Sequence, residues 1–282
     1  MTDVALTPPA ATDLPLPTRG NAPGDTWVIA RRGLLHMRRQ PEQLTDATIQ
    51  PIMFVLLFAF VFGGAIGVPG GGSYKEFLMG GIFAQTIVFG AFGVAIALAA
   101  DRNSGAIDRF HSLPIARSSV LAGHAVASLI KSLLPIVLMS LTGLIIGWRV
   151  HAPAVDVLAA YGLMIAFSFA MIWVGILIGS IVATPEGVQG VAFVAIFPIT
   201  FIASTFVPVN TLPGVLRTFA EWNPVTSLAG ALRNLFGNPG GTPPDDPWSL
   251  AHPIAYTVIW IIGIVIVCAP LAVRAYQRSI AS

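Results

Sequence analysis

The chain alternates long apolar runs with short polar breaks, and within each run the apolar residues are continuous and do not alternate with polar ones. A bilayer core about 30 Å thick is crossed by roughly 20 helical residues. That length finds six runs: Ile49 to Val68, Phe77 to Ala100, Val120 to Trp148, Val157 to Ala183, Val188 to Val207 and Ile254 to Val273. A transmembrane β-barrel would instead show segments of about 10 residues with in-out alternation. The pattern predicts an all-α polytopic membrane protein with six transmembrane helices.

Other stretches break this rhythm. In Asp25 to Leu44, Trp27, Ala30, Leu34 and Met37 recur at helical spacing opposite Arg31, Arg32, Arg38 and Arg39. Such a stretch predicts an N-terminal amphipathic helix lying in the membrane interface, either as a plain anchor or as a coupling element. Leu212 to Trp222 and Val225 to Phe236 are apolar-rich but too short to span, and Asn223-Pro224 separates them. They predict outer re-entrant or interfacial helices after the fifth span, with Trp222 at the interface, capping the outer end of a pathway. The first 24 residues hold five of the 22 prolines and no apolar run, which predicts a disordered tail without a cleavable signal core. Gly237 to Asp246 reads as a loop, and Asp245 with Asp246 as solvated acids.

Composition supports the membrane reading: of 282 residues, 55% are hydrophobic and only 10% charged. The placement of the few charges sets orientation. With both termini inside, the inner segments hold ten arginines (Arg19, Arg31, Arg32, Arg38, Arg39, Arg102, Arg109, Arg117, Arg274 and Arg278) against Lys75, Arg149, Arg217 and Arg233 outside. Positive flanks stay cytoplasmic, so both termini are expected there. Arginine-rich, alanine- and glycine-rich usage suggests a bacterial source, and with it a bacterial plasma membrane. The single cysteine, Cys268, lies in the sixth run and excludes an intrachain disulfide.

The third run with its leading Ser119 would extend about 45 Å at 1.5 Å per residue, longer than the hydrocarbon core, so its first turns are expected to project into the cytoplasm. Lys131 then sits near the inner interface, where it either extends its ammonium to water or lines a substrate path. Pro135 and Pro198 remove helical donors within the third and fifth runs and are candidate flex points.

The polar island Asp101 to Ser119 is rich in charge, spaces Ile107, Phe110 and Leu113 three apart and ends its helical part before Pro114. It reads as a cytoplasmic docking surface, with a solvated loop as the plainer alternative. The turn Thr184 to Gly187 carries Glu186 as its only charge and reads as a plain turn or a second, lesser contact.

Several chemistries are disfavoured. The runs hold no Asp, Glu or His relay for proton coupling. Neither lysine completes the phosphate-cradling G-x-x-x-x-G-K-[ST] pattern, so any ATP would be bound by a separate chain. No H-E-x-x-H or G-x-S-x-G occurs, and neither a catalytic residue, a metal site nor a nucleic-acid partner is expected.

The run Asp101, Arg102, Gly105, Asp108, Arg109, Phe110, Ser112-Leu113-Pro114-Ile115 and Arg117-Ser118 resembles the cytoplasmic loop of type 2 ABC export permeases, particularly their daunorubicin-resistance branch. Phe206-Val207-Pro208, Leu212-Pro213, Leu216, Phe219, Asn223-Pro224 and Ala231-Leu232-Arg233 resemble that family's segment after the fifth span. The resemblance implies one permease domain over residues 45–282 and a coupling helix between spans two and three that seats in an ATPase cleft. It implies coupling contacts at Gly105, Asp108, Arg109, Phe110 and Leu113, with Glu186 as a lesser one. Lys131, Pro135, Pro198, Trp222, Asn223 and Pro224 are then candidates for the pathway or its gate. The implied function is export of a hydrophobic or amphipathic drug or lipid, driven by ATP and Mg bound to a partner ATPase, with no cofactor on this chain. A second permease copy or a homologous permease, and membrane lipids, complete the expected partners. An ATP-independent transporter or channel is the alternative reading.

Overall fold

The computed structural model describes residues 41–64, 66–68, 72–103, 117–238 and 247–281, with isolated positions 24, 26, 27 and 31 ahead of them. Most of the amphipathic segment Asp25 to Leu44, all of Gly105 to Leu113, and Asp245 with Asp246 lie outside the described residues. Among the described residues the chain is helical and contains no strand. In lipid a backbone has no water to bond with, so a run this apolar must satisfy its own peptide groups, and helices do so internally.

Helix α1, Pro41–Leu57, widens into a π-turn at Phe58–Phe62. Helices α2, Tyr74–Asn103, and α3, Arg117–Ile146, each run 30 residues. They are followed by α4, Ala154–Ile181, and by α5, Pro185–Ile202, which contains a π-turn over Ala192–Ile196. Two short helices, α6 (Gly214–Glu221) and α7 (Pro224–Leu235), precede a single turn α8 (Trp248–Ala251) and the long α9 (Pro253–Ala281).

Among the described residues, five helices, α2, α3, α4, α5 and α9, are long and apolar enough to cross a membrane. The first expected span is different. Its apolar helix covers only Ile49–Phe62 and stops before Gly63-Gly64, so it is shorter than a bilayer core requires. The fifth ends earlier than the apolar run suggested: helix stops at Ile202, and Ala203 to Pro208 continue as largely buried non-helical chain.

Helix α2 is the centre of the bundle. It packs against α1, α3, α4, α5 and α7, and 67% of its most apolar window is buried, against 11% for α9 at the periphery. This accounts for its sequence, which is apolar around its whole circumference where a helix with one wet face would show a polar stripe. Helix α9 packs on α4 and α7 and turns Ile259, Ile262, Ile266 and Val267 outward. Exposed aliphatic stripes of this extent on α3, α5 and α9 suit contact with lipid or another apolar surface.

Candidate coupling and translocation site

At one end of the bundle, α2 finishes on Asp101, Arg102 and Asn103, directly before the segment carrying Gly105, Asp108, Arg109, Phe110 and Leu113. Arg102 Nη1 donates to the Ser180 carbonyl at 2.9 Å and to the Gly179 carbonyl at 3.4 Å. These carbonyls close α4, where a helix leaves acceptors without intrahelical donors. The chain then enters α5 through Thr184, whose Oγ1 accepts from the Gly187 amide at 3.1 Å as an N-cap. Glu186 stands in this first turn and is exposed, a favourable place for an acid beside the positive end of a helix.

Lys131 lies on α3, half-buried, within electrostatic reach of Asp101. Pro135 withholds the amide that would bond the Lys131 carbonyl, yet α3 continues as helix through it. Pro198 differs. The Phe197 amide bonds back five residues to the Ala192 carbonyl, so a wider π-turn ends directly before the residue that has no amide to continue the ladder. Of the two proline candidates, only Pro198 follows an interruption of α-helical hydrogen bonding.

The opposite end of the bundle is closed by a network that joins α2, α3, α5, α7 and α9. Asn223 caps α7 by accepting from the Val225 amide at 2.8 Å, while its Nδ2 donates to the Ile199 carbonyl at 2.7 Å near the end of α5. Pro224 occupies the first helical position of α7, where a missing amide costs nothing. The neighbouring Trp222 is 48% exposed, and its carbonyl accepts from the Tyr256 hydroxyl of α9 at 2.9 Å. Lys75 donates to the Ile146 carbonyl at 2.9 Å, filling an acceptor at the end of α3, and Glu76 meets His151 at 2.9 Å.

At the centre of this network is Arg233, only 5% exposed. Its Nε donates to the Phe77 carbonyl at 2.8 Å, Nη2 to the Ser204 carbonyl at 2.6 Å, and Nη1 to Ser204 Oγ at 3.3 Å. The guanidinium carbon lies 3.5 Å from the centroid of the Phe77 ring. Burial pushes the group down to about 9, opposed by nearby Tyr74, so it remains cationic at neutral pH. One planar cation thus ties α7 to the first turn of α2 and to the non-helical chain after α5. Gly80 and Gly81 make the approach possible. A Cβ at Gly80 would stand 2.8 Å from Arg233 Cγ, and one at Gly81 would overlap the Thr205 backbone.

Between the two ends, phenylalanine rings form a ladder along α5 and α1. Phe193, Phe197 and Phe201 follow one another on α5, with centroids 6.0 and 4.2 Å apart, and Phe201 meets Phe206 at 5.4 Å. Phe206 stacks on Phe58 at 4.0 Å, and Phe58 on Phe62 at 5.0 Å. Phe193 is 68% exposed, while Phe206 is buried.

The long apolar helices packed around α2 describe a multi-pass membrane protein. The ABC-2 type transporter family matches residues 24–236. The chain belongs to this family. Across 262 residues, 93% of this chain and 89% of the relative, it is 27% identical to the daunorubicin resistance ABC transporter permease protein DrrB1 of Streptomyces coeruleorubidus. It is 27% identical over 256 residues, 90% of this chain and 88% of the relative, to the probable doxorubicin resistance ABC transporter permease protein DrrC of Mycobacterium tuberculosis. The doxorubicin resistance ABC transporter permease protein DrrB of that organism is 23% identical over 252 residues, 86% of this chain and 85% of the relative. As an ABC-2 type permease, the chain is a multi-pass membrane subunit in a family whose transport uses ATP on a partner ATPase.

The structure thus brings Asn223 and Pro224 into one assembly at one end of the bundle, sets Glu186 on an exposed turn and places Lys131 on α3 within electrostatic reach of Asp101. The sequence reading counted Arg233 and Arg102 as flanking charges and quoted both within the family-like motifs, but gave neither a role in a site. The available signal was the small residues: Gly80-Gly81 adjacent in one span, and Gly175 and Gly179 one turn apart in another.

Proposed function

We propose that the chain is the six-span permease subunit of an ATP-driven exporter that moves a hydrophobic or amphipathic drug out of the cytoplasm or inner leaflet. The observation that carries this reading is the family match over residues 24–236, with drug-resistance permeases aligned along nearly the whole chain. In this reading Ile49 to Val68, which begins in α1, is the first of the six spans, and both termini face the cytoplasm of a bacterial cell. Residues 1–24 form a cytoplasmic tail and 25–44 an interfacial helix.

A separate cassette ATPase binds ATP and Mg and grips the segment Gly105 to Leu113, with Asp108 and Arg109 offering charge pairs and Phe110 an apolar plug. Glu186 supplies a second contact. A second permease, identical or homologous, faces the first, and the pathway forms between them. Closure of the ATPases on ATP moves the coupling segment and shifts the pathway from inward- to outward-open. The phenylalanine ladder from Phe193 to Phe62 supports a planar aromatic cargo, since stacked rings accept such a surface without needing a charge partner. Lys131 sits off that ladder on α3.

The test is ATP-dependent doxorubicin uptake into inverted vesicles containing the chain and the cassette ATPase. Uptake that requires both chains and ATP is expected. Uptake without any ATPase, or an ATPase that fails to associate with the chain, would overturn the reading in favour of a passive transporter.

A further inference from the structure

The two inner segments assigned above to the ATPase are far apart in sequence, but the structure joins their roots. Arg102 stands on the last turn of α2, next to the residue where the described helix ends and the coupling segment begins. Its Nη1 donates to the Ser180 and Gly179 carbonyls at 2.9 and 3.4 Å. Both belong to the final turn of α4, whose partial negative charge a cation stabilises. Ser180 is buried, and its own hydroxyl is committed to the Ile176 carbonyl at 2.7 Å. The turn that Arg102 holds is therefore well packed and leads within a few residues to Thr184 and the start of α5.

The helices behind this contact cannot slide independently. A Cβ at Gly179 would lie 2.6 Å from the Ala95 carbonyl oxygen and 3.1 Å from Leu98 Cβ, and one at Gly175 would overlap the Ala91 carbonyl. The α2 and α4 backbones thus touch along their inner halves, and packed backbones shift as a body. Helix α5 is the opposite. Only 17% of its most apolar window is buried, and it is interrupted by the π-turn before Pro198.

We infer that Arg102 is a positioning residue that joins the coupling segment to the cytoplasmic end of α5 through the α4 terminus, so that both ATPase contacts move together. Asp101 beside it lies within electrostatic reach of Lys131 on α3 and Tyr276 on α9, which brings the remaining long helices to the same level. The inference rests on the exporter reading for its consequence in transport, but the joint itself is a property of this chain.

Two measurements separate these levels. Hydrogen exchange is followed on the full chain in nanodiscs for wild type, Arg102→Met, which keeps the stem and removes the donors, and Arg102→Lys, which keeps a cation. In Arg102→Met, amides of Ser180 to Val188 are expected to exchange about tenfold faster, with Arg102→Lys close to wild type. The chains are then reconstituted with the cassette ATPase, and the ATP hydrolysed per doxorubicin transported is measured. Arg102→Met is expected to hydrolyse ATP at the wild-type rate while transporting several-fold less drug, and Arg102→Lys to recover most of the ratio. Unchanged exchange at Ser180 to Val188 in Arg102→Met overturns the joint, as does loss of that exchange protection throughout the chain in both variants. Faster exchange with a wild-type ratio overturns its role in coupling. A wild-type chain that binds no ATPase sinks the exporter reading and the coupling role with it, while the exchange result still decides the joint.

Discussion

Arg233 offers the sharpest test of how the outer end is held, because charge, hydrogen-bond geometry and packing make different predictions for two substitutions. Arg233→Lys keeps the charge and loses the fork. A lysine ammonium is a point donor and cannot address the Phe77 carbonyl from one side and the Ser204 carbonyl from the other. Hydrogen bonds to a charged group contribute about 1.5–3 kcal/mol each, and a desolvated cation over a ring adds about 1–2 kcal/mol. Loss of one such bond and of the contact with Phe77 therefore destabilises the fold by about 2.5–5 kcal/mol. The stronger hydration of an ammonium acts in the same direction. Arg233→Met removes the bonds too, but it also removes the cost of burying a cation against carbonyls alone, a cost visible in the lowered basicity of the guanidinium. The lysine variant is thus expected to be no more stable than the methionine variant, although it is the closer chemical substitute. Thermal unfolding of the purified full chain in detergent should show Arg233→Lys melting roughly 5–10 °C below wild type. A lysine variant as stable as wild type, with the methionine variant alone destabilised, would show that charge and not the planar fork holds the site, and would refute the reasoning.

Gly81→Ala places a methyl group in the Thr205 backbone, which is itself held by Arg233 and has no room to withdraw; a loss of about 3 kcal/mol or more, read as greatly reduced yield of monodisperse protein, is expected, whereas Gly90→Ala, which meets no neighbour, should be tolerated. Asn223→Ala removes the α7 cap and the tie to Ile199 together and should cost about 2–3 kcal/mol in thermal unfolding, while Asn223→Asp keeps the cap and should lose only the second part. Alanine at Asp108, Arg109 or Phe110 should abolish doxorubicin uptake in vesicles while membrane insertion, followed by protease protection of the termini, stays intact; normal uptake in all three would remove the coupling assignment.

Legibility from sequence followed the physics of the solvent. Lipid offers the backbone no partners, so the runs giving α2, α3, α4 and α9 had to be long helices, and composition alone made that readable. The start of α3 at Arg117, directly after the polar island, was also recoverable, because helical residues there adjoin a charged break. The first run was less legible: apolar residues continue to Val68, but local geometry widens at Phe58 and the helix ends before Gly63. Hydropathy counts residues and does not register where the hydrogen-bond ladder stops. The same holds for Ala203 to Pro208, apolar enough to extend a span but drawn aside by Arg233 and Thr226, whose Oγ1 accepts from the Ser204 amide at 2.9 Å.

What the sequence by itself determined was the class of molecule, the approximate helices and, through motif resemblance, the family, since each depends on neighbours along the chain. What only the tertiary structure decided was which charges are structural. Arg233 and Arg102 read as flanking cations that fall within family-like motifs, and nothing local says what either side chain holds. Their roles come from carbonyls contributed by segments distant in sequence: Phe77 and Ser204 for Arg233, and Gly179 and Ser180 for Arg102. A buried cation is stable only where acceptors converge on it, and convergence is a property of packing, made possible here by glycines that let backbones touch.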